Sequence, residues 1–289
     1  MSVERVDDFA RARRAIDYAV GDSESADGVA PVDEATLMAL AHHGLTGARL
    51  WLARDDEDDV EPGRDVGFAL LRGSSLDLVV APRSRHLGLG RALAEAALAE
   101  ARVDVTAWSH ADDPRAARLA DRLGFVAARR LWLMERPGDP VEVPQVDGVT
   151  IRGYRDSDAA EVLRVNAAAF AHHPEQGSMD AANLAERMAE SWFDPAGLLV
   201  ASTGDGLLAF HWTKQHSPEL GEVYVVAVDP AAQGRGLGKA VTAAGLAHLA
   251  GLGVRRVILY VESDNAPAIA TYTHLGFRHT STHVQYARP

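Results

Sequence analysis

The chain has 289 residues, 47% of them hydrophobic and 24% charged, which suits a folded chain of two domains of about 140 residues each. Its net charge of −12 argues against general nucleic-acid binding. No apolar stretch reaches the ~20 residues that cross a bilayer, the charged start Met1-Ser2-Val3-Glu4-Arg5 lacks a signal-peptide core, and the absence of cysteine excludes disulfides, thiolate metal sites and cysteine nucleophiles.

Residues 3–20 have a helical pattern, with Val6, Phe9, Ala10, Ile16 and Val20 apolar, and the Gly/Ser/Asp-rich stretch 21–30 reads as a loop. A second helix starts near Asp33, a good N-cap, and Glu34 lies in its first turn, where it complements the helix dipole. Strands are expected at 50–53, 66–71 and 76–80, with a charged loop over 54–64. Ala81-Pro82 ends the third strand, and Arg85-His86-Leu87-Gly88-Leu89-Gly90 then opens a helix carrying Leu89, Leu93 and Ala97, with Arg91 beside the turn. A strand at 103–108, a helix from Asp113-Pro114 and Leu123-Gly124-Phe125 follow.

Residues 137–148 hold three of the thirteen prolines and read as a linker. The pattern then restarts: a strand at 149–152, an amphipathic helix over 156–170, a loop at 172–177, a helix over 184–192, and a hairpin over 198–212 turning at Gly204-Asp205-Gly206. The last elements are a strand at 257–261, a helix from about Ala266, Leu275-Gly276-Phe277 and a short terminal β segment. The two glycine turns lie 148 residues apart and the two Leu-Gly-Phe tripeptides 152 apart, so the chain is an internal repeat of one α/β unit, expected as domains 1–140 and 149–289.

The organising stretch is 222–240. Val223, Val225, Val226 and Val228 form an alternating, β-branched strand. Asp229-Pro230 ends it, and Gln233-Gly234-Arg235-Gly236-Leu237-Gly238 opens a helix. The first amides of a helix have no internal partners and the dipole favours negative charge there, so this is an anion site; a plain strand–helix turn is the alternative. The Rossmann and P-loop spacings are both absent. A period of two puts Glu222, Tyr224 and Val226 on one face of the strand.

Gln-x-x-Gly-x-Gly after Val228-Asp229-Pro230 resembles the pyrophosphate loop of the GNAT N-acetyltransferases. Val261-Glu262-Ser263-Asp264-Asn265, then Ala268, then Tyr272-x-x-Leu275-Gly276-Phe277, resembles the end of a GNAT domain. With His172-His173-Pro174-Glu175-Gln176, His211-Trp212-Thr213-Lys214 and Glu222-Val223-Tyr224-Val225-Val226, the whole chain is similar to the mycothiol synthase family, most densely in its second half. The resemblance implies an α/β fold with mixed sheets, two tandem GNAT (acyl-CoA N-acyltransferase) domains. It also implies a cytoplasmic acetyl-CoA-dependent N-acetyltransferase that acetylates the cysteinyl amine of cysteinyl-glucosaminyl-inositol, the last step of mycothiol biosynthesis. The implied partners are acetyl-CoA as cosubstrate and a small-molecule amine, with no metal, no nucleic acid and no membrane, in a chain expected to be monomeric.

The site residues follow from that resemblance. The acetyl carbonyl is held by backbone amides of Val226, Ala227 and Val228, and the pyrophosphate by Gln233, Gly234, Arg235, Gly236, Leu237, Gly238 and Lys239; surface solvation is the alternative for Arg235 and Lys239. Cofactor contact extends over Asn265, Ala266, Pro267, Ala268, Ile269 and Ala270. In the first half it falls on Leu78, Val79, Val80, His86, Leu87, Gly88, Leu89, Gly90 and Arg91. Glu222 is the implied base and Tyr272 the general acid to the CoA sulfur; a strand-end carboxylate and core packing beside Leu275 are the alternatives. Asn265 and Tyr272 are seven apart and share a face if the helix runs through both. Glu34, Glu175, Lys214, Glu222 and Tyr260 match acceptor-contacting positions; the alternatives for the first three are a first-turn acid, a loop acid and a strand-end cation, and for Tyr260 an edge aromatic. His172-His173 has no matching ligand spacing for a metal.

The repeat offsets take Glu222 to Ser74, Asn265 to Asp113 and Tyr272 to Ala120, so the first half keeps the phosphate turn and lacks the base and the acid. It is expected to bind CoA without transferring acetyl. Two other functions fit the chain: a GNAT for another amine (antibiotic, polyamine or protein N-terminus), and a non-catalytic acyl-CoA sensor.

Overall fold

The computed structural model describes residues 2–55, 63–172 and 176–288. In chain order these form β1 (Ser2–Val6), α1 (Phe9–Asp27), α2 (Glu34–His43), β2 (Ala48–Asp55), β3 (Arg64–Arg72), β4 (Ser75–Val80), α3 (Leu89–Ala99), β5 (Val105–Ser109), α4 (Pro114–Arg122) and β6 (Val126–Pro137). There follow β7 (Thr150–Gly153), α5 (Ala159–Ala169), α6 (Ala181–Met188), β8 (Leu198–Thr203), β9 (Gly206–Ser217), β10 (Leu220–Val228), α7 (Leu237–Gly251), β11 (Arg256–Glu262), α8 (Ala266–His274) and β12 (Arg278–Arg288). The chain divides into two compact units: Met1–Leu131 with Ser281–Pro289, and Trp132–Thr280. The division therefore falls inside β6, and the last residues belong to the first unit; neither unit is one of the uninterrupted stretches 1–140 and 149–289.

In unit 1 the strands run β1-β2-β3-β4-β5-β12. All neighbours are antiparallel except β4 and β5, which are parallel. One face packs Leu89, Leu93 and Ala97 of α3 against Trp51, Ala69 and Leu76; the other packs Ala12, Ile16 and Leu40 of α1 and α2 against Leu50, Phe68 and Val79. Unit 2 repeats the plan with β11-β10-β9-β8-β7, in which β10 and β11 are the parallel pair. Val241, Ala243, Leu246 and Leu249 of α7 cover one face, and α5 and α6 cover the other with Val162, Val165 and Leu184. Phe210 and Trp212 are fully buried there, and burying such a side chain stabilises by about 1.5–3 kcal/mol.

Several elements depart from the local pattern. Residues 2–6 pair with β2, Ser2 opposite Arg54 through Val6 opposite Leu50, so the expected helix over 3–20 begins only after Asp8, whose carboxylate accepts the Ala10 and Arg11 amides. It then continues through the Gly/Ser/Asp-rich stretch to Asp27 and stops at Gly28, φ 70°. Arg85 holds that last turn, donating to Ser23 and to both oxygens of Asp27. α6 ends at Met188, four residues early, and Trp192 and Phe193 join an aromatic cluster with Trp212. β6 was not expected, and β12 is eleven residues rather than a short segment. Residues 138–148 are irregular, as a linker would be, yet Val141, Val143 and Val146 pack onto the unit 2 core. The expected loop 54–64 lies mostly outside the described residues; Arg54 and Asp55 end β2 and Arg64 starts β3.

His211 is fully buried under α7, its Nδ1 3.1 Å from the Val241 carbonyl, and a Cβ on Gly245 would overlap its ring. Gly245→Ala is expected to destabilise unit 2 by about 1–3 kcal/mol, read as a lower denaturation midpoint at unchanged slope.

Candidate active site

Two irregularities interrupt the pairing of β10 with β9. Glu222 sits opposite Lys214 and Val223 opposite Thr213, but Val225 is the next residue with a partner, Trp212, so Tyr224 is an extra residue. At the other end Gly221 pairs with Gln215 and Leu220 with Ser217, which leaves His216 as the extra residue on β9. Such bulges re-aim side chains. Glu222 and Tyr224 face the side of α5 and α6, whereas Val226 turns to α7 with Val223. The strict alternation that put Val226 beside Glu222 fails because the bulge breaks the count.

Glu222 is 7% exposed, and its Oε2 lies 2.6 Å from Nε2 of His216. Lys214, also buried, has its ammonium 4.7 Å from the centre of the Trp192 ring and 5.6 Å from that of Tyr224, a cation–π arrangement. Tyr260 on β11 is 41% exposed. Partial desolvation and then the charge of Glu222 push its phenol up to about 12. Lys214, Trp192 and His216 line a cavity of about 600 Å³. The structure thus brings Lys214, Glu222 and Tyr260 together, with His216 as a fourth member. Glu175 lies outside the described residues, and Glu34 opens α2 in unit 1.

Downstream the two parallel strands part. β10 and β11 pair over four positions, ending at Val223 opposite Leu259. From Val226 to Val228 only β9 pairs with β10, so alternate peptide groups face the side that β11 has left. An amide there needs a partner from a ligand or water. Gly236, φ 79°, is the N-cap of α7 and makes no side-chain cap, so the first-turn amides beyond it are open to an anion. Gln233, Gly234 and Arg235 are exposed, whereas the Leu237 side chain is core. Lys239 Nζ is 2.7 Å from Nε2 of His274, the last residue of α8.

Ala266, Pro267, Ala268, Ile269 and Ala270 form the start of α8. Asn265 is its N-cap, accepting the Ala268 amide at 3.2 Å, so the helix does not run through Asn265 and the shared face expected for it and Tyr272 does not arise. Tyr272 packs edge-on to Phe277 with ring centroids 6.0 Å apart. Burial pushes its phenol up to about 12.

Unit 1 repeats the parting: β4 and β5 pair only at Ser75 opposite Thr106. A cavity of about 840 Å³ opens beyond, lined by Leu78, Val79, Val80, His86, Gly88, Gly90 and Arg91 among others. Leu87 is exposed and Leu89 is core, so their side chains do not line it. Five arginines line the cavity against two aspartates, a cationic surface in an acidic chain. Arg85 is engaged by Asp27, Ser23 and the Val80 carbonyl. His86 has φ 67°, where the equivalent turn of unit 2 has Gly234 at φ 77°. At the repeat positions of Glu222, Tyr272 and Asn265, Ser74 precedes β4, Ala120 is buried in α4, and Asp113 caps α4; against the opposing effect of burial, Arg115 holds the Asp113 carboxyl below the usual range.

Residues 166–277 match the Acetyltransferase (GNAT) family and residues 46–127 an Acetyltransferase (GNAT) domain. The chain is 55% identical to a mycothiol acetyltransferase of Nocardioides sp., over 92% of this chain and 94% of that one. The chain belongs to the mycothiol acetyltransferase family. The corresponding figures for the relative from Actinosynnema mirum are 48%, 93% and 93%. A GCN5-related N-acetyltransferase structure from Sphaerobacter thermophilus superposes with a TM-score of 0.71 at 22% identity, covering 99% of this chain and 95% of that one. The mycothiol acetyltransferase family places this chain among enzymes, with two tandem GNAT units on mixed α/β sheets, and GNAT acetyltransferases use acetyl-CoA. The open amides of β10 and the uncapped start of α7 fit a thioester carbonyl and a pyrophosphate. Among the described residues no group of three or more His, Asp or Glu is placed to hold a metal, and no helix is long and apolar enough to cross a membrane.

His110 beside the unit 1 cavity and His283 on β12 meet Nδ1 to Nδ1 at 2.9 Å. Burial lowers both imidazoles from 6.5 to about 4, and for His283 the neighbouring His110 adds to it. Above pH 6.5 neither the folded nor the unfolded state holds these protons, so the pair costs nothing. As pH falls from 6.5 towards 4 the unfolded chain takes up protons that the folded chain refuses, and stability drops. The double substitution His110→Gln/His283→Gln is expected to flatten the decline of the thermal midpoint across that window.

Proposed function

We propose that this chain transfers acetyl from acetyl-CoA to the cysteinyl amine of cysteinyl-glucosaminyl-inositol, the closing step of mycothiol synthesis. The observation that carries the reading is the buried Glu222, set beside Lys214 and Tyr260 just upstream of the point where β10 and β11 part. Glu222 takes a proton from the acceptor's ammonium, which frees the nitrogen lone pair for the acetyl carbon. Backbone amides within Val226–Val228 meet the negative charge that develops on the acetyl oxygen. The new C–N bond forms, the nitrogen sheds its second proton to solvent, the C–S bond breaks, and the Tyr272 phenol gives its proton to the departing sulfur and is reprotonated from solvent. A tyrosine phenol is protonated at neutral pH and so has the proton to give.

The first-turn amides of α7, with Gln233, Arg235 and Lys239, bind the pyrophosphate, and the start of α8 lines the same cofactor. Glu34, Glu175, Lys214 and Tyr260 contact the acceptor's polar groups; for Glu34 and Glu175 the support is the family resemblance. Unit 1 binds a second acetyl-CoA in its cationic cavity and transfers nothing, since Ser74 and Ala120 stand at the positions of base and acid. The favoured state is a monomer in the cytoplasm with no metal.

A thiol-release assay with rival amines tests the acceptor. A strong preference for the cysteinyl pseudodisaccharide over spermidine, an aminoglycoside and a peptide is expected, with mass confirmation of N-acetylation; turnover of a rival alone overturns it. Glu222→Gln and Tyr272→Phe are each expected to lower kcat about 10²–10⁴-fold. Equilibrium dialysis is expected to find two CoA molecules per chain, and a stoichiometry of one removes the binding role of unit 1.

A further inference from the structure

We infer that His216 is a positioning residue for the Glu222 base, an assignment that rests on the acetyl-transfer reading given to Glu222. Three observations converge. The contact is short, 2.6 Å between Nε2 and Oε2, and an ionised carboxylate can only accept, so Nε2 carries the proton and donates it. The burial is asymmetric: the Glu222 side chain is 9% exposed and that of His216 33%, so the imidazole stands on the solvent side of a buried acid. The backbone is irregular where it matters, because His216 is the residue without a cross-strand partner between Gln215 and Ser217. A bulge costs ladder hydrogen bonds and re-aims a side chain; here it turns His216 onto the carboxylate.

The chemistry that follows is specific. A carboxylate with one oxygen held by His216 has its rotamer fixed and offers the other oxygen, Oε1, to the acceptor's N–H. Other groups around the pair are Lys214 from β9, Tyr260 from β11, and Arg187 from α6, whose guanidinium is 5.7 Å from the Tyr224 ring. Lys214 stands over Trp192 and Tyr224, and Tyr260 feels the Glu222 charge from the neighbouring strand. His216 makes a short hydrogen bond to Glu222 and lines the same 600 Å³ cavity as Lys214. In the reaction the proton leaves the ammonium nitrogen for Oε1 of Glu222, while the Nε2–H bond of His216 to Oε2 stays in place.

The test compares His216→Ala, His216→Gln and Glu222→Gln in the full chain, with acetyl-CoA and the cysteinyl pseudodisaccharide. Glutamine can place an amide N–H where Nε2–H stood. His216→Ala is expected to lower kcat about a hundredfold with KM for acetyl-CoA unchanged, and His216→Gln to recover most of that loss. Equal loss in both His216 variants, or parental kcat in His216→Ala while Glu222→Gln is inactive, overturns the assignment and leaves the base reading standing. Full turnover by Glu222→Gln overturns the base reading and the assignment with it.

Discussion

Strand β10 has two neighbours for its first half and one for its second. It pairs with β11 as far as Val223 opposite Leu259 and with β9 as far as Val228. A buried peptide group without a partner is costly, so the parting of two parallel strands makes a site that wants a ligand. The rest of unit 2 serves this opening. Turn 229–236 carries the chain to an uncapped helix start, where further amides face outward. β11 carries Tyr260, and α8, which follows it, carries Tyr272.

The bulges act on side chains as the parting acts on the backbone. One extra residue on β9 and one on β10 bracket Glu222. The first carries His216, which bonds its carboxylate; the second leaves Tyr224 on the same side as Glu222 and rotates Val226 to the opposite face. Lys214 remains directly across from Glu222, but the aromatic rings of Trp192 and Tyr224 share its charge. The Glu222 carboxylate is thereby kept buried beside a cation and a hydrogen-bond donor, which lowers the cost of burying a charge.

The two units show what a duplicated fold can keep and lose. Both retain a parallel strand pair that separates, and both retain a turn in the left-handed region before a long helix. Unit 1 has Ser74 and Ala120 at the repeat positions of Glu222 and Tyr272, yet its cavity, about 840 Å³ against 600 Å³ beside Lys214, is rimmed by arginines. Its turn even holds a histidine at the left-handed position that unit 2 gives to glycine. Backbone strain of that kind persists where the surroundings enforce it, and here the surroundings are the wall of a cationic cavity.

The sequence alone determined the repeat and the strand–turn–helix unit that makes a candidate anion site, because these depend on local periodicity and on glycines at fixed spacing. Glu222, Lys214 and Tyr260 were legible through family resemblance, and the structure gathers all three. Tertiary structure decided the rest. Residues 2–6 became a strand because β2 offers them a ladder, and α1 ran on to Asp27 because Arg85 holds its end. Asn265 was committed to a helix cap, and Val226 left the face of Glu222 because a bulge adds a residue that no periodicity announces. His216 lies two residues from Lys214, a spacing that puts both on one face of a strand and is the signal the sequence carries for it. What the spacing cannot give is the partner, because the distance between a side chain on β9 and one on β10 is set by register, and register is a property of the folded sheet.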